Sequence, residues 1–220
     1  MARYADMLSD VVPWVPECPN RSIEEYLRRA TIEFCRRSGF WREVVVIPLE
    51  DDRLEYRVRS VRPDGRMDRP LKAIFKTDPT GNGSAKNRAL KHIGFGDARL
   101  ARSSGRGDPA AYGVDETGAN VRIWPTPLVS NQDNPRIELY VVAVPTQRST
   151  QFADQIFEQW REAIVDGCLW HLMRMPGKSW SNPEMALHHR AEFYRQVNDA
   201  RRKMETDNWA PTRTRMRPWV

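Results

Sequence analysis

The chain is poor in cysteine, has no long apolar run and carries no local signature of a catalytic or metal site. Its three cysteines, Cys18, Cys35 and Cys168, are odd in number and lack paired spacing, which argues against a disulfide framework and against a structural zinc site. Cys35 and Cys168 fall in helical patterns, where a buried thiol behaves as a small apolar side chain. No stretch approaches the roughly 20 apolar residues of a transmembrane helix. Met1–Asp10 includes Asp6 and no apolar run, so the expectation is no signal peptide and assembly in the cytoplasm. A strong charge bias is missing as well: 35 Lys+Arg against 29 Asp+Glu leave +6. The arginines are scattered beside acids rather than gathered on the stripe of a dedicated DNA binder.

Motifs that would carry chemistry fail on inspection. Thr80–Lys86 (TGNGSAK) has glycines and a lysine, but not in the order a phosphate loop requires, and Gly94-Phe95-Gly96 lacks the third glycine of a dinucleotide site. His188 and His189 are adjacent and project about 100° apart on a helix, so they are not an i,i+4 zinc pair. His92 and His171 have no carboxylate at metal-site spacing. No catalytic residue, metal or cofactor is therefore expected.

What is present is a pattern of helices at the two ends and strands between them. A 40% hydrophobic content over 220 residues allows one large domain or two small ones with a true core. Three prolines in Val11–Pro19 predict an extended opening in which Trp14 covers apolar surface. Ser22 with Glu25 reads as a capping box, and Ile23, Tyr26, Leu27, Ala30 and Phe34 recur at helical spacing up to a stop at Gly39. Glu25–Arg29 and Glu33–Arg37 are favourable i,i+4 pairs. Strands are predicted at Val44–Ile47, Tyr56–Ser60, Leu71–Phe75, Val121–Trp124 and Ile137–Ala143, from β-branched content or alternation. Asp78–Ser84 and Ser103–Asp108 read as loops.

A second helix is predicted from about Thr150 to Met175, and a third from Asn182, with Pro183 at its first position, to about Asn208. Ala163 and Gly167 are small and four apart, a helix-packing pair. Gly167 costs about 1 kcal/mol of helix propensity, so close approach of another helix is the expected compensation. The fold class this predicts is α+β: a helical bundle of one N-terminal and two long C-terminal helices, interrupted by a β-rich insert and followed by an extended tail. In domain terms, 1–40 and 146–209 form a split bundle, 41–145 the insert and 210–220 the arm.

Eight tryptophans are many for this length. Trp124, Trp160 and Trp170 read as core; Trp14 and Trp180 read as local packing. The closing segment, Ala210–Val220 (APTRTRMRPWV), has no apolar periodicity and cannot offset its own ordering entropy. Trp209, Arg213, Arg215, Met216, Arg217 and Trp219 are the residue types that dominate interfaces. The alternating arginines suit an extended segment in a groove or at a sheet edge, or salt-sensitive contact with phosphates; an end without a role is the remaining alternative.

Two blocks of sequence carry a resemblance. Asp10–Pro19 (DVVPWVPECP), Ala30–Ser38 (ATIEFCRRS) and Trp41-Arg42 resemble the N-terminal region of tailed-bacteriophage head-to-tail adaptor (connector) proteins. Gly167–Met173 (GCLWHLM), Pro176–Pro183 (PGKSWSNP) and Phe193-Tyr194-Arg195 are similar to the closing helices of that family. The resemblance implies a non-enzymatic virion protein at the head–tail junction. It implies a homo-oligomeric, dodecameric ring under the portal protein that joins the DNA-filled head to the tail and continues the DNA channel. Helices would line that channel and the β-rich part would meet a downstream tail protein, such as a nozzle, stopper or fibre, through loops such as 77–88 and 102–118. The arm at 210–220 would be the portal interface. No membrane contact and no sequence-specific nucleic-acid binding are expected; the alternative reading is a basic nucleic-acid-binding protein.

Overall fold

In the run Arg42–Pro48 every second residue turns inward: Glu43, Val45 and Ile47 are buried, while Val44 and Val46 face out, 40% and 55% exposed. That period of two is what a strand imposes on its side chains. It belongs to β2 of a computed structural model that describes residues 1–58, 64–78, 85–96, 105–129 and 134–206. Contacts divide the chain into two compact units, one of Met1–Arg3 with Trp41–Ala153, the other of Tyr4–Phe40 with the chain from Asp154 onward.

The first unit is a mixed sheet of seven strands in the order β2-β8-β4-β5-β6-β7-β3. The strands are β2 (Arg42–Pro48), β3 (Glu55–Arg57), β4 (Gly65–Lys76), β5 (Asn87–His92), β6 (Ala111–Val114), β7 (Asn120–Trp124) and β8 (Arg136–Pro145). All neighbours are antiparallel except β5 and β6. Strand β4 carries irregularities between Met67 and Arg69 and between Pro70 and Lys72, where a proline without an N–H can sit without breaking a regular ladder. One apolar cluster takes Val45 and Ile47 from one edge strand, Tyr56 from the other, and Phe75, Ile123 and Leu139 from between. Both edges reach one core because the sheet curls. The Tyr56 hydroxyl fastens that curl, accepting from the Glu50 N–H and donating to the Glu50 carbonyl, each at 3.1 Å. A separate two-stranded ladder pairs β1 (Ala2–Arg3) with β9 (Gln151–Phe152).

The second unit holds α1 (Leu8–Val11), α2 (Asn20–Ser38), α3 (Asp154–Met173) and α4 (Pro183–Thr206). Helix α2 ends at Gly39, whose φ of 63° suits glycine and whose N–H reaches the Cys35 carbonyl at 2.9 Å. Helix α3 is kinked at Trp160 (φ −133°, ψ 23°). Helix α4 starts where Pro183 and Asn182 predict: the Met185 N–H donates to the Asn182 side-chain oxygen at 3.1 Å. All three cysteines are buried, and none is in a disulfide.

The expected fold class is corrected by this architecture. Among the described residues the protein is α+β, with four α-helices and a large curled seven-stranded mixed sheet; it is not a helical bundle with an insert. The sheet is a unit in its own right. Strands β5 and β6 escaped the sequence pattern because only Leu90 of Asn87–His92 is buried and Ala111–Val114 does not alternate. Strand β6 lies within the segment 102–118 read as a docking loop, and β5 begins at the end of the segment 77–88. The opening is not extended either. Residues 4–14 form 3-10 turns around α1, with Tyr4, Met7, Val11 and Val15 buried at helical spacing. Pro13 is tolerated there because it sits in the first turn, where its missing N–H has no partner to lose. Trp14 is 52% exposed instead of covering a surface. The capping box at Ser22 does not form: α2 begins two residues earlier, and the Ser22 and Ile23 N–H groups donate to the Pro19 carbonyl.

Candidate functional site

The helical unit is held by one tight crossing and three polar ties. At the crossing, a Cβ added to Gly167 would lie 2.9 Å from the Ala30 Cβ and 2.9 Å from the Phe193 ring. The absent side chain lets α2, α3 and α4 meet at one point. Ala163, one turn earlier on α3, is fully buried.

The first tie centres on Glu33 of α2. Its carboxylate accepts from the Tyr194 hydroxyl at 2.9 Å and the Arg37 guanidinium at 2.8 Å, with His171 Nε2 3.8 Å away. These groups, His171 foremost, hold the Glu33 carboxyl down at about 2. Aromatic rings surround it: His171 stacks on Tyr26 and on Trp170. The second tie joins Arg161 to Asp10 through two hydrogen bonds, of which Nη2–Oδ1 is 2.9 Å, fastening α1 to α3.

The third tie borders a cleft of about 400 Å³ lined by Asp10, Trp14, Arg161, Glu162, Asp166 and His189, among others. His189 is 6% exposed. Its Nδ1 lies 2.9 Å from Asp166 Oδ1, and Gln196 Nε2 donates to the other Asp166 oxygen at 3.0 Å. Burial pushes the Asp166 carboxyl above its ordinary value, against the pull of His189. With Nδ1–H given to the carboxylate, the neutral ring presents Nε2 as an acceptor. That Nε2 is buried without a hydrogen-bond partner among the described residues. The Trp14 ring meets the His189 ring edge-on at 5.6 Å between centroids.

None of these arrangements has the form of a catalytic or metal centre. Among the described residues no cluster of three or more His, Cys, Asp or Glu could hold a metal ion. No described helix is long and apolar enough to cross a membrane. A family model for the SU10 adaptor protein matches residues 2–217.

The chain belongs to the SU10 adaptor protein family.

No curated protein matches it. As a member of a phage adaptor family, it is a structural protein of a bacteriophage. In such a protein the surfaces carry the function. On the sheet of this SU10 adaptor, Val44 and Val46 point outward from edge strand β2, and Leu71 on β4 is 43% exposed. On its helical unit the open features are Trp14 and the cleft beside it.

The residues singled out from sequence fall in two sets. Ala163 and Gly167 lie buried in α3 at the crossing. Trp209, Arg213, Arg215, Met216, Arg217 and Trp219 lie outside the described residues, as does the glycine-rich stretch 80–84. Sequence reasoning missed the Glu33 hub, the Asp10–Arg161 tie and the Asp166–His189 pair. Apart from the local Glu33–Arg37 pair, their members lie up to 161 residues apart, and no local pattern links them. The one available signal was His189 itself, a polar residue at a core position of the α4 stripe.

Proposed function

We propose that this protein is a head-to-tail adaptor: copies assemble as a dodecameric ring beneath the portal protein, extend the DNA channel and offer a docking platform to a downstream tail protein. The observation that carries the reading is membership of a phage adaptor family over residues 2–217. Residues 210–220 are proposed as the portal-binding arm, on the strength of their Trp, Met and Arg content. The exposed valines of β2 are suitable for subunit contact, being apolar on an edge strand. The rival reading as a basic nucleic-acid binder draws little support: Arg29, Arg37, Arg53, Arg122, Arg136, Arg161 and Arg195 are each engaged by an acid of this chain, which leaves fewer cations for phosphates.

The test mixes purified chain with the portal of the same phage and images the product. A second ring under the portal is the expected result. Deleting 210–220 should abolish attachment while leaving the helical circular dichroism unchanged. Unaltered attachment by the truncated chain would refute the role given to the arm. Retardation of DNA by a monomeric chain at low salt, without any portal contact, would refute the adaptor reading.

A further inference from the structure

Helix α3 carries Glu162 and Asp166, four residues apart and therefore on one face about 6 Å apart; Glu158, before the kink at Trp160, lines a cleft with Glu162. Glu158 and Glu162 are exposed and have no cationic partner among the described residues. Two clefts run along this face. One of about 490 Å³ is lined by Phe157, Glu158, Glu162 and Gln196 among others. The other is the 400 Å³ cleft with Trp14, Asp166 and His189. They share Arg161 and Glu162 and so form one groove. The charge of Arg161 is already matched by Asp10, which leaves the groove acidic. At its far end lies the buried His189 Nε2, which has no hydrogen-bond partner among the described residues and accepts when the ring is neutral.

The chain itself contains a segment that answers each of these features. Arg213, Arg215 and Arg217 alternate, so in an extended strand their side chains lie on one side about 6.7 Å apart, close to the spacing of Glu162 and Asp166. Trp219 follows two residues later, and an indole N–H is a donor with no acceptor function. The geometry of the exit agrees. Lys203 of α4 reaches Gln159 of α3 with Nζ–Oε1 at 2.9 Å, so α4 ends beside the start of the acidic face. Residues 207–212 span up to about 20 Å when extended, enough to reverse direction and enter the groove at Glu158.

We propose that the α3 groove is the docking site of the chain's own C-terminal arm, with Arg213, Arg215 and Arg217 against Glu158, Glu162 and Asp166, and Trp219 seated by Trp14 with its N–H on His189 Nε2. The arm is thereby held on its own subunit until a competing surface takes it. The proposal shares the arm with the portal-binding reading but rests on the groove, and one variant separates the two.

The experiment introduces E162C and R215C together in the full-length chain, whose natural thiols are buried. Mild oxidation should yield an intramolecular disulfide in the monomer. Its rate should exceed at least tenfold that of a control pair, L187C with R215C, since Leu187 is 65% exposed and lies about 200° around α4 from His189. Glu158→Gln, and separately Trp219→Phe, which keeps a ring but removes the N–H, should each slow closure at least threefold. Closure no faster than the control overturns the proposal. Disulfide-linked dimers in place of closed monomers also overturn it, by assigning the groove to a second copy's arm. The portal reading is judged apart: a closed chain that still attaches to portal refutes the arm as portal ligand and leaves the docking result standing, while an open chain that attaches normally but never closes does the reverse.

Discussion

Replacing Gly167 by alanine isolates the tightest packing in the helical unit. In an ordinary helix the change is favourable, because alanine gains about 1 kcal/mol of propensity over glycine. Here the new methyl would stand 2.9 Å from the Ala30 Cβ and from Cδ2 and Cε2 of Phe193, against an optimal carbon–carbon separation of about 3.5–4.0 Å. Neither neighbour can give way cheaply. Ala30 and Phe193 are both 0% exposed, and the Ala30 methyl moves only if the α2 backbone moves. Overpacking of this kind costs about 1–3 kcal/mol, and three short contacts among rigid groups place it toward the upper end. The net expectation is a loss of about 1–2 kcal/mol, or a melting temperature lower by about 2–8 °C for a chain of this size. Thermal melts followed by circular dichroism measure it, with Asn198→Ala on the exposed side of α4 as a propensity control that should be neutral or slightly stabilising. Adding Phe193→Leu to the Gly167→Ala chain should show coupling, the pair costing about 1 kcal/mol less than the two separate losses combined. A Gly167→Ala chain that melts at or above the parent temperature would refute the close-approach account.

Two further predictions concern the polar ties. The Glu33 carboxyl sits at about 2 instead of 4.5, so its contribution is fully present above about pH 4.5 and is lost as pH falls toward 2. The ceiling is about 3 kcal/mol, and the side chain is 24% exposed. Urea denaturation at pH 7, 4 and 3 should show Glu33→Gln destabilised by about 1–3 kcal/mol at pH 7, with a shallower acid slope; equal slopes for the two chains would exclude the hub. Arg161→Ala removes both hydrogen bonds to Asp10, a partly exposed pair with an expected cost of about 1 kcal/mol. Hydrogen exchange should then speed up in residues 4–14 more than in α2, and uniform protection in both would show that the tie does not hold α1.

The sequence by itself determined the local elements whose causes are local. The stripe from Ile23 to Phe34 and the stop at Gly39 specify α2, Asn182-Pro183 specifies the start of α4, the β-branched run Val44–Ile47 specifies β2 and alternation specifies β8, because composition, periodicity and capping are written in neighbouring residues. It also carried the resemblance to phage adaptors, in blocks such as Asp10–Pro19 and Gly167–Met173. The glycine at 167 announced that something must approach α3, but not that Ala30 and Phe193 would do so. Tertiary structure alone decided that β5 and β6, with few buried residues of their own, join a curled seven-stranded sheet, since a strand that buries little leaves no pattern to read. It alone turned residues 4–14 into helical turns, because burial of Tyr4, Met7 and Val11 outweighs the extended bias of the prolines. It alone brought Asp166 to His189 and Asp10 to Arg161. A hydrogen bond between residues on different helices depends on how those helices pack, and that packing is a property of the whole core rather than of any window of the chain.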